Sequence, residues 1–210
     1  SGPMEEYSLN QSLLLARFSL DGELIARVPI LANIPNGNGE NFPDHAMAYH
    51  DGHLFITTGT GEGSLHIREV DLDGKILSTE SYETSPNGII SNEVGNSLFF
   101  DSNGSLVLIS GNPPGSTHSL RFTTIDEGII GDSLRLPSNG REETFPVGNI
   151  SYENLTFISY ISRETGGSAA DFISNPYSAY VKAIDGDGEV LVDELVGEGG
   201  ASHVHPTVVV

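Results

Sequence analysis

Residues able to bind or react gather in two places along this 210-residue chain. The first is segment 162–178, SRETGGSAADFISNPYS, which carries Arg163, Asp171, Phe172, Asn175 and Tyr177. Aromatic rings beside a carboxylate, an amide and a guanidinium suit a carbohydrate or a peptide, because rings stack while polar groups fix orientation. Segment 111–118, GNPPGSTH, supplies a neighbouring wall that ends in His118. A loop that folds Phe172 and Tyr177 back over its own scaffold accounts for the same residues. The second place is a histidine set. His203 and His205 alternate, so on a strand both rings share one face. His45, next to Asp44, stands at a corresponding strand entry, and Glu93, Asn96 and Asn149 occupy comparable positions. Imidazoles with carboxylates can hold a divalent metal, and polar residues lining a solvated channel give the same pattern.

Three Asp-rich turns raise calcium as a cofactor. They are Asp71-Leu-Asp73-Gly74, Asp101-Ser-Asn103-Gly104 and Asp185-Gly-Asp187-Gly188. A helix–loop–helix calcium site needs a third acid and a Glu six residues beyond its Gly, and none of the three has both. The backbone demands of hairpin turns explain Asp, Asn and Gly at these positions. Catalytic signatures are thin. There is no G-x-S-x-G elbow, no H-E-x-x-H and no phosphate-binding loop. Without Cys, thiol nucleophiles, thiolate metal sites and disulfides drop out. Glycoside hydrolysis uses a carboxylate pair, which spacing alone does not pick out of 29 acidic residues.

Charge narrows the partners. A net charge of −20, from 29 acidic and 9 basic residues, argues against nucleic acid and anionic membrane surfaces, both of which need basic footprints. No apolar run approaches the roughly 18 residues of a membrane span, so membrane insertion is not expected. Only Lys75 and Lys182 are lysines, which fits a salt-adapted or extracellular protein. The first residues do not resemble a signal peptide.

The elements that must position these residues are repeated. Phe42 opens FPDHAMAYHDGHLFIT and Phe145 opens FPVGNISYENLTFISY, with NSLFFDSNGSLVLIS from Asn96 between them. Second hairpins follow in LHIREVDLDGKIL, LRFTTIDEGIIGDSL and AYVKAIDGDGEVLVDEL. Period-two alternation broken by Asp-Gly or Asn-Gly marks consecutive hairpins, and four strands in about forty residues have the size of one β-propeller blade. The spacing predicts blades over 42–82, 94–136 and 145–196, in a single domain 1–210. A closing blade from 4–30 plus 204–210 would make four; a fragment of a larger propeller is the alternative. Asn103-Gly104 reads as a type I′ turn. Residues 31–40 and 137–144 read as connections.

The stretches SLLLARFSLDGELIARV and YVKAIDGDGEVLVDELVGEGGASHVHPTVVV resemble β-propeller repeats of large bacterial secreted proteins and RTX-type adhesins. The likeness runs over about residues 12–210. It implies an exported, cell-surface or extracellular module without catalysis. The chain departs from that pattern in its dissimilar long loops and in lacking the nonapeptide calcium repeat.

A propeller sorts its loops by face. Short turns fall on one side, while segments 58–63, 111–118 and 162–178 lengthen along the chain on the other. Binding usually resides in loops on a rigid scaffold. The expectation is a binding or adhesion module that takes a carbohydrate or a protein or peptide ligand on the loop-rich face. A propeller-fold hydrolase or lyase and a structural spacer are the alternatives. Exposed terminal strands would allow self-association.

Overall fold

The computed structural model describes residues 11–34, 46–59, 64–83, 96–111, 119–126, 129–165 and 176–198. A hairpin comes first, β1 (Gln11–Phe18) with β2 (Leu24–Ile34). Three four-stranded antiparallel sheets follow. Blade 1 is β3 (Met47–His50), β4 (His53–Gly59), β5 (Ser64–Asp71) and β6 (Ile76–Glu83). Blade 2 is β7 (Asn96–Phe100), β8 (Leu106–Ser110), β9 (Arg121–Asp126) and β10 (Ile129–Arg135). Blade 3 is β11 (Arg141–Tyr152), β12 (Leu155–Glu164), β13 (Ser178–Ile184) and β14 (Val190–Gly197). In each sheet the strands lie side by side in chain order. No helix is present among the described residues, and so none long and apolar enough to cross a membrane.

The blades stand in series. Strand β7, first in blade 2, lies against β3 on one side and β11 on the other. Ala46, Ala48, Leu65 and Ile67 of blade 1 pack on Leu98, Leu106, Leu108 and Ile125 of blade 2. The opposite face of blade 2, with Phe99, Val107, Ile109, Leu120 and Phe122, packs on Ile158, Tyr160 and Ile184 of blade 3. Ile30 of the hairpin, with Leu13 and Leu15, covers Leu54, Ile56 and Val70 on the far side of blade 1. Alternating apolar side chains thus fill both faces of a blade. Each fully buried Leu or Ile contributes on the order of 1.5–3 kcal/mol.

The turns show how short sequences set this geometry. Asp51 (φ 47°) and Gly52 (φ 86°) both take left-handed backbone between the paired His50 and His53, as a two-residue type I′ turn requires. The turn after Phe100 corrects the expectation for Asn103-Gly104. Only Gly104 has positive φ, and the loop is longer because Asp101 closes it. The Asp101 carboxylate accepts from the Asn103 and Ser105 amides at 2.9 Å each. Asp71 accepts from Asp73 and Lys75, and Asp185 from Asp187 and Glu189, at 2.9–3.0 Å. In each copy the Gly three residues on donates to the backbone oxygen of that Asp. These carboxylates organise turns.

Two boundaries move. Strand β2 continues to Ile34, through residues read as a connection. Strand β11 starts at Arg141, because Arg141–Thr144 already pair with β12. Thr144 faces Ile161 and Gly148 faces Ser159, so β11 bulges at Phe145-Pro146-Val147, where proline has no N–H to give the ladder. The motif read as the start of the blade is an interruption inside its first strand. Segments 4–9 and 204–210 lie outside the described residues.

Candidate functional site

The loop-bearing face is defined by three strand ends, at Gly59, Ser110 and Glu164, with the following strands beginning at Ser64, Arg121 and Ser178. Polar and charged side chains are buried at these roots. They include Ser110 and Arg121 in blade 2, and Glu142, Glu143, Ser162, Arg163 and Tyr177 in blade 3. Successive residues of β11 point to opposite faces of the sheet, so Glu142 and Glu143 serve two separate clusters.

Glu142 clamps one loop. Its Oε2 accepts from Arg163 Nε at 3.0 Å, and its Oε1 accepts the Tyr177 hydroxyl. The Arg163 guanidinium lies 4.5 Å from the Tyr177 ring centroid, a cation–π distance. Arg163 immediately precedes segment 164–176 and Tyr177 immediately follows it, so one carboxylate fastens both roots of the longest loop. The Arg163 and Glu142 side chains are 0% and 2% exposed. Burial, then the bond to Glu142, raises the Tyr177 phenol above its ordinary range. Burying this pair costs solvation that only its close geometry and hydrogen bonds offset.

Glu143 belongs to the face that meets blade 2. Lys182 Nζ donates to Glu143 Oε1 at 2.8 Å and to the Pro137 carbonyl at 2.6 Å, and lies 3.8 Å from Asp193. Asp193 pairs with Arg141 at 2.5 Å and accepts the Tyr160 hydroxyl. Glu143 Oε2 accepts the Leu120 amide at 3.2 Å, which ties the cluster to blade 2. Two cations therefore face two carboxylates, with Tyr160 and Tyr180 stacked beside them at 5.7 Å. Burial pushes the Glu143 carboxyl up, against the opposing pull of Lys182 and the Leu120 amide. Burial, reinforced by Glu143 and Asp193, also raises Tyr160.

The expected site residues divide sharply. Arg163 and Tyr177 come together, buried, with Glu142 as their common partner. Asp171, Phe172, Asn175 and His118 lie outside the described residues, as do Asp44, His45, His203, His205 and Glu93. Asn149 donates to Ser97 and, at 3.3 Å, to the Leu98 carbonyl, so it joins the inner strands of blades 2 and 3. Asn96 is buried at the loop end of β7. Among the described residues no three His, Asp or Glu side chains gather to hold a metal ion. Glu142, Glu143, Lys182 and Asp193 were missed by sequence reading. Lys182 offered a signal: it is one of two lysines and interrupts the apolar strand SAYVKAI.

All these groups are committed to one another. Their chemistry is to hold loop roots and blades in place. Ser110 Oγ, Arg121 Nε and Ser162 Oγ are buried at the same face without a hydrogen-bond partner among the described residues. Buried polar atoms of this kind mark where water or a polar ligand completes a structure.

No family model matches the chain, and no curated protein does. Among solved structures, a GH43 endo-arabinanase from Bacillus licheniformis is similar at a TM-score of 0.50 and 17% identity, over 89% of this chain and 69% of that one. A variant of the Synechocystis apocarotenoid oxygenase gives 0.47 and 10%, over 88% of this chain and 46% of its own. A chimera of that oxygenase gives 0.45 and 13%. The chain spans about half the length of the oxygenase structures. The arabinanase is a β-propeller, and these sheets in series share its all-β propeller fold.

Proposed function

We propose that this protein is a β-propeller binding module whose ligand, a carbohydrate or a peptide, is taken by the loop-bearing face. The observation that supports this reading is the clamp on segment 164–176, fastened at both roots by buried Glu142. A loop anchored in this way keeps less freedom to lose when a ligand arrives, which favours binding. The opposite face carries tight turns at Asp51-Gly52, Asp101–Ser105 and Glu153-Asn154. Phe172, Asn175 and Asp171 lie in the clamped segment, with Arg163 and Tyr177 as its base.

A glycan array and a peptide array probed with the whole chain, and with a variant whose residues 166–175 are replaced by a Gly-Ser linker, test the reading. Binding by the wild type that the linker variant loses, at an unchanged thermal midpoint, is the expected result. Equal binding by both would remove the loop from the site. Propeller hydrolysis is the second reading, favoured by the fold shared with an endo-arabinanase, although a fold hosts many functions. Release of reducing ends from an array-positive polysaccharide would select it.

A further inference from the structure

Away from the loop face, the seam between blades 1 and 2 opens into a cleft of about 290 Å³. Its walls are Phe55 and Tyr82 from blade 1 and Phe100 from blade 2, over a floor that includes Ile67, Leu106 and Ile125. Phe55 meets Phe100 edge-on at 5.0 Å, and His50 stacks on Phe100 at 4.2 Å, so the aromatic wall is fixed. Glu69, Glu80 and Asp126 also line the cleft. Glu69 is occupied by His53 at 2.5 Å and by the Ser78 hydroxyl at 3.2 Å. Glu80 and Asp126 are exposed, and among the described residues neither is paired with a Lys or Arg. Aromatic rings, an apolar floor and two carboxylates not held by a Lys or Arg among the described residues suit a cation on an apolar stem. Among the described residues no Lys or Arg lines the cleft, and a net charge of −20 draws cationic partners toward it.

From this juxtaposition we infer that the cleft between blades 1 and 2 binds an arginine or lysine side chain presented by a basic segment of a partner protein. The stem lies on Ile67 and Leu106, the cationic head meets Phe100 and Tyr82, and Glu80 and Asp126 close over it. This site is independent of the loop face, and its failure would leave the loop reading untouched.

The test is fluorescence anisotropy with a labelled nonapeptide holding a central Arg pair, at about physiological ionic strength. Three proteins are compared: wild type, Glu80→Gln/Asp126→Asn, and Asp21→Asn/Asp187→Asn, which removes the same charge from exposed turns that do not line the cleft. The cleft variant is expected to bind about tenfold more weakly, while the turn variant changes less than about twofold. Tyr82→Leu should weaken binding about threefold through the lost ring face. The same peptide with citrulline in place of arginine should lose binding to the wild type. Equal losses in both double variants would reduce the effect to net charge and overturn the proposal. So would a citrulline peptide that binds as well as the arginine one, or a cleft variant that binds like the wild type.

Discussion

The two seams of this propeller start from the same strand pattern and end differently. Between blades 1 and 2, Ala48, Leu65, Leu98 and Leu108 make an apolar core that thins outward into an aromatic cleft. Between blades 2 and 3, the apolar core of Phe99, Val107 and Ile158 gives way to Glu143, Lys182, Asp193 and Arg141. The contrast sharpens when the cations are counted. Of nine Lys and Arg, four (Arg121, Arg141, Arg163 and Lys182) are withdrawn from the surface into blades 2 and 3. A protein with so few bases places nearly half of them where desolvation is costly. An apolar contact resists separation without fixing direction, whereas a buried ion pair tolerates little sliding before its charges lose their partners. The first seam can therefore stay partly open, and the second holds the scaffold beneath the longest loop in one register.

Breaking the charged seam should have the largest effect. Lys182→Met keeps much of the side-chain volume but leaves Glu143 and Asp193 short of a cation inside the protein. A loss of about 3–5 kcal/mol is expected in urea unfolding, the range for orphaning a buried charge. The double variant Glu143→Gln/Lys182→Met should recover part of that loss, because no unpaired charge replaces the pair. A single variant within about 0.5 kcal/mol of wild type would show that the cluster is decoration.

Glu143→Gln on its own isolates the pH response. Burial raises the Glu143 pKa above its unfolded value of 4.5, so the folded chain holds a proton that the unfolded chain releases. Over the window from 4.5 up to the folded value, fewer protons are bound in the unfolded state, and stability falls as pH rises. The contribution is fully present below 4.5 and is lost as pH rises through the folded pKa. The wild type should therefore lose stability relative to Glu143→Gln across that window, in urea midpoints taken from pH 4 upward. A difference that stays flat would place Glu143 in a more solvated setting.

Much of the fold was legible, for local reasons. Asp51-Gly52 needs only its own two residues to form a turn, and each strand face announces itself through alternation. The reach of sequence ended where one side chain altered a turn, as at Asp101, whose carboxylate replaces the two-residue Asn103-Gly104 loop with a longer one. It ended again at Arg141-Glu142-Glu143. Three consecutive charges before Phe145-Pro146 look like a solvated connection, because their partners Arg163, Tyr177, Lys182 and Asp193 lie 21 to 52 residues away along the chain. Arg163 and Tyr177 were picked out for exposed ring and charge chemistry, yet both are buried at the base of the loop.

Within the loop clamp, Tyr177→Phe removes the hydroxyl and leaves the ring under Arg163. Glu142 then loses one of its hydrogen bonds and keeps its cation. The expected destabilisation is about 1.5–3 kcal/mol, the range for a hydrogen bond to a charged group. Faster proteolysis within segment 164–176, at conditions where the blades stay folded, would show that the clamp holds the loop itself. Cleavage unchanged from wild type would detach Tyr177 from loop order.

The smallest effect belongs to the apolar seam. Phe100 is half-buried, meets Phe55 edge-on and carries His50 on its face, but it sits where the core already opens to solvent. Phe100→Leu trades one apolar side chain for another and gives up two ring contacts, each worth on the order of 0.5–1.5 kcal/mol at most. Because the cleft is open, the leucine leaves little enclosed void, so the cavity penalty that makes core truncations expensive is largely missing. A net loss of about 1 kcal/mol is expected in urea unfolding. A loss as large as that of Lys182→Met would mean that the aromatic wall, rather than the ion cluster, holds the blades in register. The two seams would then differ in composition alone.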